Sequence, residues 1–328
     1  MISNKHKTGQ RRDDGSLRHL LTLEGLTRTE LESLLERSQH YVRRPGDQAP
    51  ESDALAGVTV ANMFTEPSTR TRVSFELAAK RLGANVVNLE VQLSSRVKGE
   101  TMLDTVFTLE ALHVDVFVLR DSEAGVPALV AANVAPHVSV LSAGEAHLSH
   151  PTQGLLDALT ILQCKHRCDG LVVAIVGDIL HSRVARSACQ ALQTLGVKDL
   201  RLVAPQALMP GAQEFTGCSR SNDIDSSIAG ADVVMMLRIQ SERFADTAIP
   251  AGDDYFREFG LTEQRLRRAK PDAIVMHPGP MNRGVEIETT VADGPQSVIR
   301  RQVANGVAVR MAALETLAAP LAARNRQS

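Results

Sequence analysis

The sequence predicts an α/β protein with two doubly wound parallel-sheet domains and a ligand cleft between them. Three observations carry this. The chain has 328 residues, and ~100–200 residues make a domain, so two cores are expected. Short β-rich apolar runs alternate with helical stretches, which is the order of a parallel sheet covered on both faces. Charged and hydroxyl residues gather just after those runs, at the strand ends where such folds bind ligands.

Taken in order, Met1 to Ser16 is polar and aperiodic and reads as a mobile tail. A helix is expected from Thr27, with Leu31, Leu34 and Leu35 on one face and Thr27 and Glu30 as a capping box. After a loop at 45–50, strands are expected at 58–64, 86–91, 114–119 and 138–141. Helices at 71–82, 101–112 and 126–134 lie between them. A helix at 151–163 then opens a second series, with strands at 171–176, 199–203, 232–237 and 273–276 and helices near 182–195 and 263–269. The two domains are expected to join near residues 144–151. A long Ala/Leu/Val helix from about 295 to 317 ends the chain and is expected to cross back to the first domain.

Composition excludes several classes. Lys and Arg number 36 against 38 Asp and Glu, a net charge of −2, with none of the basic field of a nucleic-acid or membrane-surface binder. No apolar run approaches the ~18 residues of a membrane span, and the polar start has no secretory core, so a cytoplasmic location is expected. Aromatics are 3% and tryptophan is absent, which favours a charged ligand site over stacked rings. Four cysteines do not make a disulfide scaffold in so long a chain. Cys164 and Cys168 flank His166, but no second pair follows at metal-binding spacing. His147 and His150 are separated from any shared helix face by Pro151. Free thiols and ordinary histidines are expected, with no metal and no cofactor.

The polar residues are more telling. Phe64-Thr65-Glu66-Pro67-Ser68-Thr69-Arg70-Thr71-Arg72 follows a strand and opens a helix that ends at Gly83. Ser68 or Thr69 is a good N-cap. Arg70 and Arg72 oppose the helix dipole, a conflict that a bound phosphate or carboxylate would remove. Arg183 follows the next domain's first strand, the turn Gly177-Asp178 and a possible cap at Ser182. His150 and Gln153 flank the helix start at Pro151. Arg120, Arg238 and His277 each end a strand. Together these residues suggest a cleft for a highly anionic set of ligands. Neither G-x-G-x-x-G nor a Walker loop occurs, so dinucleotide and ATP readings are weak. No Ser/His/Asp or Cys/His ordering stands out, so no covalent nucleophile is needed.

The segment 64–72 resembles the carbamoyltransferase signature, His150-Pro151-Thr152-Gln153 its second motif, and Lys98-Gly99-Glu100-Thr101 its mobile loop. The resemblance runs from Leu17 to Leu317. Arg238-Ile239-Gln240 and His277-Pro278-Gly279-Pro280 resemble the aspartate branch; the Ser-Met-Gly and His-Cys-Leu-Pro motifs of ornithine enzymes are absent. Gly279 stands where some members carry a larger apolar residue.

The resemblance implies a carbamoyl phosphate-binding domain at 17–149, with helix 296–328 packing back on it, and an aspartate-binding domain at 150–295. It implies transfer of the carbamoyl group from carbamoyl phosphate to L-aspartate, an early pyrimidine step. In that reading Ser68, Thr69, Arg70 and Thr71 hold phosphate, with charge from Arg120 and Lys98. Thr71, Arg120 and His150 polarise the carbamoyl carbonyl. Gln153 and the Pro278 carbonyl, in the loop with Gly279, hold its NH2, and Arg183, Arg238 and Gln240 clamp the aspartate carboxylates. Attack by a neutral amine mainly needs positioning and charge stabilisation, and the departing phosphate can take a proton. The resemblance further implies a homotrimer in which Ser94 and Lys98 reach a neighbour's site. It is to the longer chains that assemble with a dihydroorotase-like protein, with Arg11 and Arg12 in the tail as a possible docking element. Two alternatives stand beside this reading: a carbamoyltransferase for another amino acid such as ornithine, and a catalytically silent scaffold chain.

Overall fold

The computed structural model of the protein describes residues 9–43, 46–90, 100–239 and 252–325. It contains two compact units, residues 1–155 with 305–328, and residues 156–304. Each is an α/β unit on a wholly parallel sheet, as the alternating pattern predicts.

The first unit opens with helix α1 (Arg28–Tyr41), capped by the expected Thr27/Glu30 box. Four strands follow, β1 (Thr59–Phe64), β2 (Asn85–Glu90), β3 (Val116–Asp121) and β4 (Ser139–Glu145), in the order β2-β1-β3-β4. Helices α2 (Thr69–Arg81), α3 (Met102–Ala111) and α4 (Val126–Asn133) connect them. Thr71, Phe75, Ala78 and Ala79 form the buried stripe of α2, which packs on β1 and β2. Leu21, Met63, Phe117 and Val140 share a core with Val106 of α3 and Val130 of α4. Because helices cover the sheet, every residue of β4 is buried and the strand reads as unbroken rather than alternating.

The second unit's sheet has β5 (Val172–Val176), β6 (Asp199–Val203), β7 (Ser219–Ser221), β8 (Val233–Met236) and β9 (Ile274–Met276), in the order β7-β6-β5-β8-β9. Its helices are α6 (Arg183–Thr194), the short α7 (Ile224–Ser227), α8 (Gly252–Phe259), the short α9 (Glu263–Leu266) and the short α10 (Thr289–Ala292). Two further helices, α5 (Pro151–Lys165) and α11 (Ile299–Asn325), carry the chain from one unit to the other. None of the described helices is long and apolar enough to cross a membrane.

Three expectations need correction. The tail reading over 1–16 does not hold for its described part. Gln10 is buried, and its side-chain oxygen accepts from the N–H groups of Leu21 and Thr22 at 2.5 and 3.1 Å. Arg11 pairs with Glu30, and Arg12 donates to the carbonyls of Leu17 and Leu317. Those arginines serve their own unit, which removes the reason for assigning them to a partner. Secondly, the helix expected over 263–269 is a single turn. Thirdly, β7 and α8 were not expected.

Candidate active site

In the first unit the candidate residues stand at the carboxyl edge of three neighbouring strands. The strand order reverses between β1 and β3, so that pair is the switch point where ligands bind in such sheets. Phe64, at the end of β1, registers with Arg120 on β3. The turn after β1 then grips Arg120. The Thr65 N–H and hydroxyl donate to its carbonyl at 2.9 and 3.2 Å, and Glu66 Oε2 lies 3.1 Å from its Nε. Arg120 Nη1 also donates to Ala143 O on β4 at 3.3 Å. The β3–β4 register shifts from Leu119↔Ser142 to Asp121↔Glu145, so β4 carries the extra residue and Arg120 lies opposite this irregularity.

Ser68, Thr69, Arg70 and Thr71 form the start of α2. Ser68 is the N-cap residue, yet its hydroxyl makes no capping bond, and the first turn holds no acid. By contrast α1 and α3 begin with complete capping boxes, Thr27/Glu30 and Thr101/Asp104. Hydroxyls, first-turn N–H groups and the charges of Arg70 and Arg72 therefore coincide at one helix end, the chemistry of an anion site. His150 immediately precedes α5, and Gln153 lies in its first turn, donating its N–H to His150 O at 2.9 Å. The preceding turn is pinned by Glu145 N–H to Ser149 O at 2.8 Å and by Ser149 Oγ to Leu21 O at 2.9 Å.

One residue here escaped the sequence reading. Arg310, on the first-unit part of α11, is buried with its guanidinium 4.9 Å from the Phe75 ring centroid. Burial, with the charge of Arg120 adding to it, pushes its pKa down to about 9. It remains cationic at neutral pH and adds positive potential near Arg120. The only sequence signal is an arginine inside an otherwise apolar helical run.

In the second unit the strand order reverses between β5 and β8, and the two candidate arginines follow those strands. Gly177, just after β5, has a φ of 137°, and a Cβ there would lie 2.8 Å from Leu237 O. Glycine is required so that the two strand ends can approach this closely. Asp178 accepts from His181 N–H at 3.1 Å, and the Ser182 hydroxyl caps α6 by accepting from Ala185 N–H at 3.0 Å. Arg183 is thus held at the first position of a helix whose first turn has no acid. Arg238 stands two residues past the end of β8.

Pro278 and Gly279 follow β9 in a loop held by His277. The His277 N–H donates to Gln302 Oε1 at 3.0 Å, and its Nδ1 accepts from Gly279 N–H at 2.8 Å. Its Nε2 lies 3.3 Å from Glu286 Oε1, which also accepts from Asn282 N–H. Asn282 Nδ2 in turn donates to Ile239 O at 3.1 Å, linking this loop to the residue after Arg238. Gly279 has a φ of 66°, a conformation that suits glycine where a larger residue would be strained. Burial, with the charges of Glu286 and Asp178 adding to it, drives the Tyr255 hydroxyl pKa strongly upward. The structure therefore brings Ser68, Thr69, Arg70, Thr71, Arg120, His150 and Gln153 to one unit's strand ends, and Arg183, Arg238, Pro278 and Gly279 to the other's. Ser94, Lys98 and Gln240 lie outside the described residues.

Two family models match the chain in succession. Residues 18–163 match the family described as aspartate/ornithine carbamoyltransferase, carbamoyl-P binding domain, and residues 169–317 match its Asp/Orn binding domain. Aspartate transcarbamoylase from Trypanosoma cruzi, solved with carbamoyl phosphate and aspartate, is 32% identical, with a TM-score of 0.82 over 92% of this chain and 96% of that one. The same protein with N-(phosphonacetyl)-L-aspartic acid is 31% identical, with a TM-score of 0.83 over 94% and 98%. Ornithine carbamoyltransferase from Pyrococcus furiosus is 30% identical, with a TM-score of 0.79 over 90% and 96%.

Proposed function

The chain belongs to the aspartate/ornithine carbamoyltransferase family, and on that premise we propose that its acceptor is L-aspartate. The products are N-carbamoyl-L-aspartate and phosphate, and the reaction serves pyrimidine synthesis in the cytoplasm. The observation that carries this reading is the pair Arg183 and Arg238 at the switch point of the second sheet. Aspartate offers two carboxylates to two guanidinium groups, whereas the side-chain ammonium of ornithine would meet like charge.

In this reading Ser68, Thr69, Arg70 and Thr71 bind the phosphate, with charge from Arg120 and Lys98. Thr71, Arg120 and His150 stabilise the oxyanion that develops as the amine attacks the carbamoyl carbon. Gln153 and the Pro278 carbonyl orient the carbamoyl NH2, and Gln240 completes the carboxylate clamp. The departing phosphate accepts the amine proton, so no protein base is required. The test is to offer the purified chain carbamoyl phosphate with aspartate, ornithine and other amines. Aspartate alone should be carbamoylated, and product from ornithine alone would overturn the assignment.

The assembly proposed is a homotrimer with Ser94 and Lys98 supplied across the interface. It is supported by exposed Val73 and Leu77 on α2 and exposed Val87 on the edge strand β2, apolar surface that a second copy would cover. A dihydroorotase-like subunit is proposed as partner on the resemblance alone. Native mass of the mixed proteins tests it, and an unchanged mass would remove the partner.

A further inference from the structure

One face of α6 holds a neighbouring strap, residues 214–218, along its length. Arg186, Cys189 and Gln193 are three and four residues apart and so share that face. At one end Arg186 donates to Glu214 Oε2 at 2.6 Å, with its guanidinium 4.9 Å from the Phe215 ring centroid. At the other, Gln193 Nε2 donates to Thr216 O at 2.6 Å and lies 3.5 Å from Cys218 Sγ. Gly217 permits this approach: its φ is 78°, and a Cβ there would lie 2.9 Å from Gln193 Nε2. Between the two anchors, Cys189 Sγ and Cys218 Sγ stand 3.8 Å apart, both as free thiols.

From this placement we infer that Cys189 and Cys218 form a reversible dithiol–disulfide site, oxidised by a hydroperoxide and restored by a thiol reductant. The strap is held by contacts that do not involve the S–S bond, so the sulfurs are aligned before any bond forms. Closure to a bond of ~2.05 Å needs a side-chain rotation and a small shift of the turn at Gly217. The two thiols have different roles. Cys218 is the partly exposed one, and its contact with Cys189, together with the charge of Arg220, lowers its pKa. Cys189 is buried, and the same contact together with burial raises its pKa.

Cys218 thiolate is therefore the attacking group. Its sulfur bonds to the terminal oxygen of the hydroperoxide, the O–O bond breaks, and the alkoxide leaves and takes a proton. Cys189 then loses its proton and attacks the sulfenic sulfur of Cys218, expelling hydroxide, which leaves as water. Two thiols and one hydroperoxide thus give one disulfide, one alcohol and one water. A small thiol reverses the step by exchange. Cys164 and Cys168 provide an internal control. Cys164 Sγ lies 3.1 Å from Arg301 Nη1, and Cys168 is buried.

The experiment treats the purified full chain with a small excess of hydrogen peroxide, then counts thiols after denaturation and maps linked peptides by mass spectrometry. Titratable thiols should fall from the four of the sequence to two, with Cys189 joined to Cys218, and dithiothreitol should restore all four. In Cys189→Ser a sulfenic acid at position 218 should accumulate and be trapped by dimedone. Cys164→Ser with Cys168→Ser should leave the linkage unchanged. Survival of all four thiols, or linkage through Cys164 or Cys168, would overturn the proposal. The wild-type thiol count decides the matter even where a variant fails to fold.

Discussion

At the scale of single residues, Arg70 and Arg238 are expected to fail differently. Arg70 is exposed at the start of α2, so its removal leaves the core intact. A charge-assisted hydrogen bond contributes about 1.5–3 kcal/mol, so Arg70→Ala should weaken carbamoyl phosphate binding at least ~10-fold and nearly abolish turnover. Arg238→Ala should instead raise the aspartate requirement and spare carbamoyl phosphate affinity, since it follows a strand of the other unit. Calorimetry with each ligand separates the two cases, and an equal loss for both ligands in both variants would contradict this division. His19 carries a prediction about stability. Val140 N–H donates to its Nδ1 at 2.9 Å, and burial, with repulsion from Arg18 and Arg12, pushes the ring pKa down to about 3. The unfolded chain takes up this proton below ~6.5 and the folded chain does not until about 3. Stability should therefore fall as pH drops through that window, by about 1.4 kcal/mol per unit. Urea midpoints between pH 7 and 5 should fall more steeply for the wild type than for His19→Asn, which keeps an acceptor without titrating. Parallel curves would clear His19 of the effect.

At the scale of elements, the approach of β5 to the segment after β8 is the most exacting feature near the candidate site. Gly177→Ala forces a Cβ against Leu237 O and holds alanine at a φ of 137°. Strain of this kind costs about 1–3 kcal/mol, and the displaced Leu237 precedes Arg238. Urea unfolding should show the loss, and KM for aspartate should rise more than KM for carbamoyl phosphate; an unchanged midpoint would mean the strand ends have slack. The same elements show what the sequence discloses. The run at 171–176 is legible because burial on both faces requires continuous Val, Ile and Leu, and 199–203 is legible because Leu200 and Leu202 alternate with the half-buried Asp199 and Arg201. The caps at Thr27 and Ser182 are legible because they depend only on local spacing. Ser219-Arg220-Ser221 is not, because its strand pairing to β6 is a long-range fact with no apolar pattern. Gln10 resembles any tail residue until its amide is seen bonding two backbone N–H groups. Arg310 and the Cys189–Cys218 pair escape for the same reason: each meets its partners only through the fold.

At the scale of the whole molecule, the helices α5 and α11 divide the chain so that each unit has its own sheet, switch point and cationic helix start. The first unit is nonetheless short of one charge in the proposed reading, because Lys98 is assigned to the neighbouring chain. A lysine suits that role, as a flexible point charge that can close over phosphate and release it after turnover. Sharing of this kind has a consequence that a self-contained site lacks. Homotrimers of Lys98→Ala and of Arg70→Ala should each be nearly inactive. In a closed ring each site draws Arg70 from one chain and Lys98 from the next, so equal mixing leaves about a quarter of the sites with both residues intact. Unfolding the two variants together and reassembling them should therefore restore about a quarter of wild-type activity, whereas either variant refolded alone should stay silent. If each site used its own Lys98, every site in the mixture would lack one of the two residues. Mixed trimers identified by mass, with no activity recovered, would then assign Lys98 to its own chain.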